Sequence, residues 1–160
     1  MKKNVLQLSV LLLASSLFLF SCTDDDVVPE IGYEKGSFVV CEGNWNQNDG
    51  MITYFEDSTV ITDVFDNVNG LPLGDVVQSL TIIDKNAYIV VNNSQKVEVV
   101  DVETFKRKAT ISGLSYPRYV AKLNDTEIVI SNGKGGDSDY VYVVNSTTFA
   151  KTDSIKTGTG

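Results

Sequence analysis

VEVVDVETF (Val97 to Phe105) and VYVVNSTTF (Val141 to Phe149) are nearly the same nine residues, written 44 positions apart in a chain of 160. Each is a short run rich in β-branched residues that ends in a polar triplet, which reads as a strand running into a turn. Outward from the first copy, the segments VVQSLTII, AYIVV, KVEVVD and FKRKATI are separated by turns at Asp84-Lys85-Asn86, Asn92-Asn93-Ser94 and Val102-Glu103-Thr104. They predict four antiparallel strands joined by hairpins. Outward from the second copy, RYVAKL, EIVISN, YVYVVN and FAKTDSI repeat that order.

An earlier unit is more divergent: SFVVCEG, a Gly/Asn-rich loop, MITYFE and TVITDVF, with no clear innermost strand before Ser37. No segment shows a convincing helical period. A four-stranded repeat of about 40–45 residues predicts an all-β chain, a β-propeller of four-stranded antiparallel blades. Each blade needs a neighbour to cover its faces, so the same strand keeps the same residues from copy to copy. About three blades are written here, and propellers need at least about four to close. The expectation is therefore the N-terminal part of a longer propeller.

Aligning Ile89-Val90 with Val129-Ile130 gives a spacing of 40, against 44 for Val97 and Val141, which places a four-residue insertion in the loop from Gly133 to Asp139. That loop, GKGGDSD, is not a phosphate loop, because no helix follows it. Asp137 and Asp139 supply too few spaced oxygens for a calcium site.

The first residues, MKKNVLQLSVLLLASSLFLFSC, place two lysines before an apolar run and a small residue before Cys22. This is the pattern of a secretory signal peptide. The tetrad Leu19-Phe20-Ser21-Cys22 resembles a bacterial lipobox, which makes Cys22 the expected lipid anchor. Three acyl chains hold a protein on a membrane without a span. The expected organisation is a signal peptide over 1–21, a lipid-anchored acidic linker over 22–36, and blades over 37–160. Loss of residues 1–21 leaves 11 basic against 21 acidic side chains, a net charge of −10, which disfavours nucleic acid as a partner. With Cys22 acylated, Cys41 has no thiol to pair with, and it reads as a buried strand residue.

Catalysis finds little support. The chain has no His, which removes the commonest general base and metal ligand, and no acidic pair stands out. No metal or cofactor is expected.

The lipobox, the acidic run Thr23-Asp24-Asp25-Asp26, and the segments FVVCEGNWNQNDGMITYFE, GLPLGDVVQSLTI, AYIVVNNSQKVEVVDVETF and GLSYPRYVA resemble the YncE-like, seven-bladed β-propeller surface lipoproteins of Bacteroidetes. The resemblance covers nearly the whole chain after Cys22. It implies a lipoprotein on the outer face of the outer membrane. It further implies a binding module that captures a small nutrient, a corrinoid such as vitamin B12, for a TonB-dependent transporter. A structural or adhesive protein that binds a protein or glycan is the alternative. The family more often has Asn where this chain has Cys41.

In such a fold, ligands bind where loops converge at one mouth of the channel. The candidates are Asn44, Trp45, Asn46, Gln78, Asn92, Asn93, Arg118 and Asn132. Trp45, the only tryptophan, sits in a polar loop and either stacks on a flat ring or sugar or packs over the sheet edge. Asn92 and Asn132 align as equivalent turn residues, and Asn in a turn needs no ligand. Arg118 aligns with Ser79; it either binds an anion in the channel or pairs with an acidic neighbour.

Overall fold

The computed structural model describes residues 32–133 and 139–158. They form three antiparallel sheets, each a meander in which successive strands pair. The first holds β1 (Ser37–Cys41), β2 (Met51–Glu56) and β3 (Thr59–Ile61). The second holds β4 (Val77–Ile83), β5 (Asn86–Val91), β6 (Lys96–Asp101) and β7 (Arg107–Ile111). The third holds β8 (Pro117–Lys122), β9 (Glu127–Asn132), β10 (Tyr140–Asn145) and β11 (Lys151–Lys156). The architecture is all-β and blade-like.

One turn, built twice, accounts for the repeated nine residues. Asp101 Oδ1 accepts the backbone N–H groups of Glu103 and Thr104, both at 3.1 Å, and the Thr104 hydroxyl at 3.3 Å. Asn145 Oδ1 accepts Thr147 N–H at 3.0 Å, Thr148 N–H at 2.8 Å and the Thr148 hydroxyl at 3.1 Å. A side-chain oxygen two residues back mimics a backbone turn, and Asp and Asn supply it equally well. The closing phenylalanines take left-handed backbone, Phe105 at φ 56° and Phe149 at φ 58°, and donate their N–H to the carbonyls of Asp101 and Asn145. A bulky residue is uncommon there. The conformation throws each ring backwards onto the sheet that precedes it in the chain: Phe105 onto Phe38 and Phe149 onto Tyr88.

The strand registers correct the alignment of the third sheet. Leu80 pairs Ile89 in the second sheet and Val120 pairs Ile130 in the third, so the spacing across β5 and β9 is 41, not 40. Between the pairs Ile82–Ala87 and Lys122–Ile128 the β8–β9 connection is one residue longer than the β4–β5 connection, and the remaining three extra residues lie in the β9–β10 loop. Asn132 is therefore the counterpart of Val91, and the residue matching Asn92 is Gly133. Asn92 N–H bonds to Val76 O at 2.7 Å and Gly133 N–H to Tyr116 O at 3.3 Å, which supports the same equivalence. A slip of one residue reverses the face that each side chain occupies. Residues 134–138, including Asp137 of the rejected calcium site, lie outside the described residues.

A second correction concerns TVITDVF. Only Thr59–Ile61 is strand; Val64–Asn69 form a helix, α1, capped by Gly70 at φ 67° with its N–H on Asp66 O. Six residues are too few to show a period. Tertiary contacts fix the helix instead: Val64 and Phe65 are buried, and Asn69 ties it to the second sheet through Phe105 O at 3.2 Å and Arg107 N–H at 2.8 Å.

Two apolar cores fill the junctions between sheets. Between the first and second lie Ile52, Tyr54, Phe65, Ile89, Val100 and Phe105; between the second and third lie Tyr88, Val90, Val97, Val99, Ile130 and Val144. Alternation along β6 sends Val97 and Val99 one way and Val100 the other, so the second sheet is covered on both faces. Tyr33, in the stretch read as linker, packs edge-on against Tyr54 with centroids 5.0 Å apart. Cys41 ends β1 and is half-buried rather than fully buried.

Burial, with the Glu56 carboxylate 2.8 Å from the hydroxyl, pushes the Tyr54 phenol up to about 12 from its usual 10.0. Burial also raises Tyr33 and Tyr88. A raised folded value means that stability is fully present below the unfolded phenol pKa and is lost as pH climbs through the folded one. We expect urea midpoints to hold to about pH 9.5 and to fall steeply between about pH 10 and 12. Tyr54→Phe should flatten that fall. An unchanged alkaline limb in the variant would assign it to other groups.

Candidate functional site

The candidate site lies at the end of the sheets where β4 and β8 start and where the β1–β2, β5–β6 and β9–β10 loops turn. Each first strand opens the same way. Val76 at φ 59° and Tyr116 at φ 56° are left-handed, and each is followed by a bulge at the next residue but one. The extra residues in those bulges are Gln78 and Arg118, 40 positions apart, so the counterpart of Arg118 is Gln78 and not Ser79. A bulge re-aims a side chain. Gln78 is half-buried and Arg118 is exposed, and the Ser79 hydroxyl donates to Arg118 O at 2.7 Å, stitching the two bulged strands together. Beside Arg118, a depression of about 450 Å³ is lined by Ser131, Asn132, Tyr140 and Val141.

The loop that carries Trp45 is fixed from both sides. Within it, Asn44 donates its backbone N–H to Asp49 Oδ1 at 2.7 Å and its side-chain amide to Asp49 Oδ2 at 2.9 Å. These bonds, the side-chain one foremost, hold the Asp49 carboxyl below its ordinary value. Across the junction, Asn46 N–H donates to Asp75 Oδ2 at 2.8 Å, and the Asn93 amide donates both to that oxygen and to Asn46 Oδ1. Asp75 is itself held by its N–H on the Ser94 hydroxyl at 2.9 Å. The loop of the first sheet, the start of the second and the β5–β6 turn thus form one network. Trp45 projects from it with 54% of its surface exposed. Asp75 is buried, and its Oδ1 has no hydrogen-bond partner among the described residues, leaving one acceptor open beneath the loop.

Asn44, Trp45, Asn46 and Asn93 are therefore brought together, with Gln78 and Arg118 on the neighbouring bulges. Asn92 and Asn132 use their side chains inside the fold, although Asn132 also borders the depression beside Arg118. Each is 5% exposed and bonded inward, Asn92 to Pro117 O at 2.8 Å and Asn132 to Ser115 N–H. They brace the backbone of the strand starts, which is a structural use of the amide. Asp49, Asp75 and Ser94 are residues of this network that sequence reading does not nominate. Asp75 falls in the Leu73-Gly74-Asp75 segment, but nothing in the local sequence shows that Asn46, 29 positions earlier, folds back onto it. Cys22 lies outside the described residues.

Among the described residues, no group of three or more His, Cys, Asp or Glu side chains is placed to hold a metal ion. None of their helices is long and apolar enough to cross a membrane.

Residues 35–160 match the family described as Domain of unknown function (DUF5074). The chain belongs to that family. The match takes in all three sheets, so every residue of the Trp45 network lies inside the DUF5074 region. No curated protein matches the chain.

Proposed function

We propose that this chain is a non-enzymatic binding module in which the three sheets are consecutive blades of a β-propeller. Cys22 carries the lipid that holds it on the outer face of the outer membrane. The loop end around Trp45 captures a small nutrient, a corrinoid by the family resemblance, and passes it to a TonB-dependent transporter. The observation that carries the reading is an exposed indole next to Asn46, which is pinned to the second sheet by its backbone N–H on Asp75 and its side-chain oxygen on Asn93. An exposed aromatic on a fixed loop is a ready stacking surface whose backbone needs little ordering on binding. Asn46 on the same loop, and Gln78 and Arg118 on the bulges at the same end of the sheets, supply polar groups to orient a ligand.

The test is calorimetric titration of cobalamin and cobinamide into soluble protein lacking residues 1–22. One-to-one binding is expected, and Trp45→Ala should weaken it about tenfold or more, the equivalent of about 1.4 kcal/mol. Because the indole is largely exposed, the thermal midpoint should stay within what about 0.5 kcal/mol produces. No heat with either corrinoid would sink the nutrient reading. A Trp45-dependent response to oligosaccharides in its place would favour the adhesive alternative.

A further inference from the structure

At the opposite end of the sheets, the two junctions differ in one respect. In the first, Tyr33 lies against Phe105, centroids 5.6 Å apart, and donates its backbone N–H to Glu103 O at 2.9 Å. With Phe38 stacked 5.0 Å from the same ring, Phe105 is completely buried. In the second junction the same turn presents Phe149 in place of Phe105 and Thr147 in place of Glu103. Tyr88 meets Phe149 at 6.5 Å, a looser contact, and Phe149 is only half-buried. Ile83 reaches into this junction but is shorter than a tyrosine by most of a ring. What remains is a groove of about 490 Å³, with Ile83, Tyr88 and Phe149 on its floor and Lys85, Asn86 and Thr147 along its walls.

We infer that this groove between the second and third sheets is a docking site for an aromatic side chain on an extended segment of a partner polypeptide, seated as Tyr33 is seated in the first junction. The ring would lie on Phe149, and the backbone N–H of the same residue would donate to Thr147 O. The chain's own tether supplies the template: an aromatic residue with a free N–H satisfies the apolar floor and the turn carbonyl together. Pairing a main-chain donor with a pocketed side chain is a common way to recognise extended peptides. This inference is independent of the Trp45 site, which lies at the other end.

The experiment uses the isotope-labelled chain and, as probe, the free peptide EIGYEKG, which copies residues 30–36. NMR titration to millimolar peptide should give saturable shifts at Tyr88, Thr147, Thr148 and Phe149, and the same peptide with Tyr33→Ala should give none. In the protein, Ile83→Tyr enlarges a buried side chain that lines the groove. It should weaken peptide binding at least tenfold while the protein still unfolds cooperatively. Absence of saturable shifts would overturn the inference. So would shifts confined to Phe105 and its neighbours, because they would mean that the peptide only displaces Tyr33, and so would undiminished binding to Ile83→Tyr.

Discussion

Replacing Phe105 with Ala is expected to lower the unfolding free energy by about 3–5 kcal/mol, the range for large-to-small changes at a fully buried aromatic. Phe149→Ala should cost less than half as much, although the two residues close the same turn. Both substitutions leave the Asp101 or Asn145 turn in place, and both put Ala at a left-handed position, so the backbone terms cancel in the comparison. What differs is the burial of the ring. Phe105 is completely buried with Phe38 and Tyr33 packed against its ring, and its loss opens a cavity inside that core. Phe149 is only half-buried, meets the Tyr88 ring at 6.5 Å and borders the open groove, so the site relaxes at low cost. Urea denaturation settles the matter if midpoints shift at constant slope. Equal losses at the two positions would show that the turn, and not the ring, supplies the stability.

The second large effect centres on Glu98, the one charged side chain among the largest fully buried ones, at 1% exposure. One oxygen pairs with Lys96 Nζ at 2.7 Å and the other accepts the Thr110 hydroxyl at 2.7 Å. Lys96→Met leaves the carboxylate buried with a single neutral donor, and breaking a buried pair in this way costs about 3–5 kcal/mol. Replacing both partners removes the charge together with its need for compensation. The double variant Lys96→Met/Glu98→Leu should then lie within about 1–2 kcal/mol of the parent, or above it. A double-mutant cycle measures the coupling. Additive losses would mean that Lys96, whose side chain keeps 22% of its surface in solvent, contributes no pairing energy.

Most of the strand order was legible because every hairpin here is local: alternation, β-branched residues and Asn/Asp turns all lie within a few positions of one another. KVEVVD, EIVISN, YVYVVN and MITYFE were read with the bounds that β6, β9, β10 and β2 have in the structure. The failures are of two physical kinds. Helix α1 is too short to carry a period, and Phe65 and Asn69 hold it through contacts with distant residues. The alignment of Asn92 with Asn132 failed because one extra residue in the β8–β9 turn shifts β9 without changing its apolar character. Among Ile128, Val129 and Ile130, composition cannot say which two point inward; the pairing with β8 and β10 decides it. The candidate site was half legible for the same reason. Trp45 and its neighbours were visible as a polar aromatic loop. Asp75, which anchors that loop, reaches it through a bond spanning 29 positions and is tied to Asn93 by one spanning 18.

The backward reach of the two phenylalanines also bears on the order in which the molecule is made. A chain emerging amino end first completes β1 and β2 before Phe105 appears, and completes β5 before Phe149 appears. Each ring therefore meets a surface that already exists, and the apolar face of the preceding sheet stays uncovered only until the next sheet and its turn are made. Unpaired apolar surface on a growing chain is where aggregation begins. By directing these contacts toward finished structure, the repeated turn suits the chain to folding in step with its own emergence.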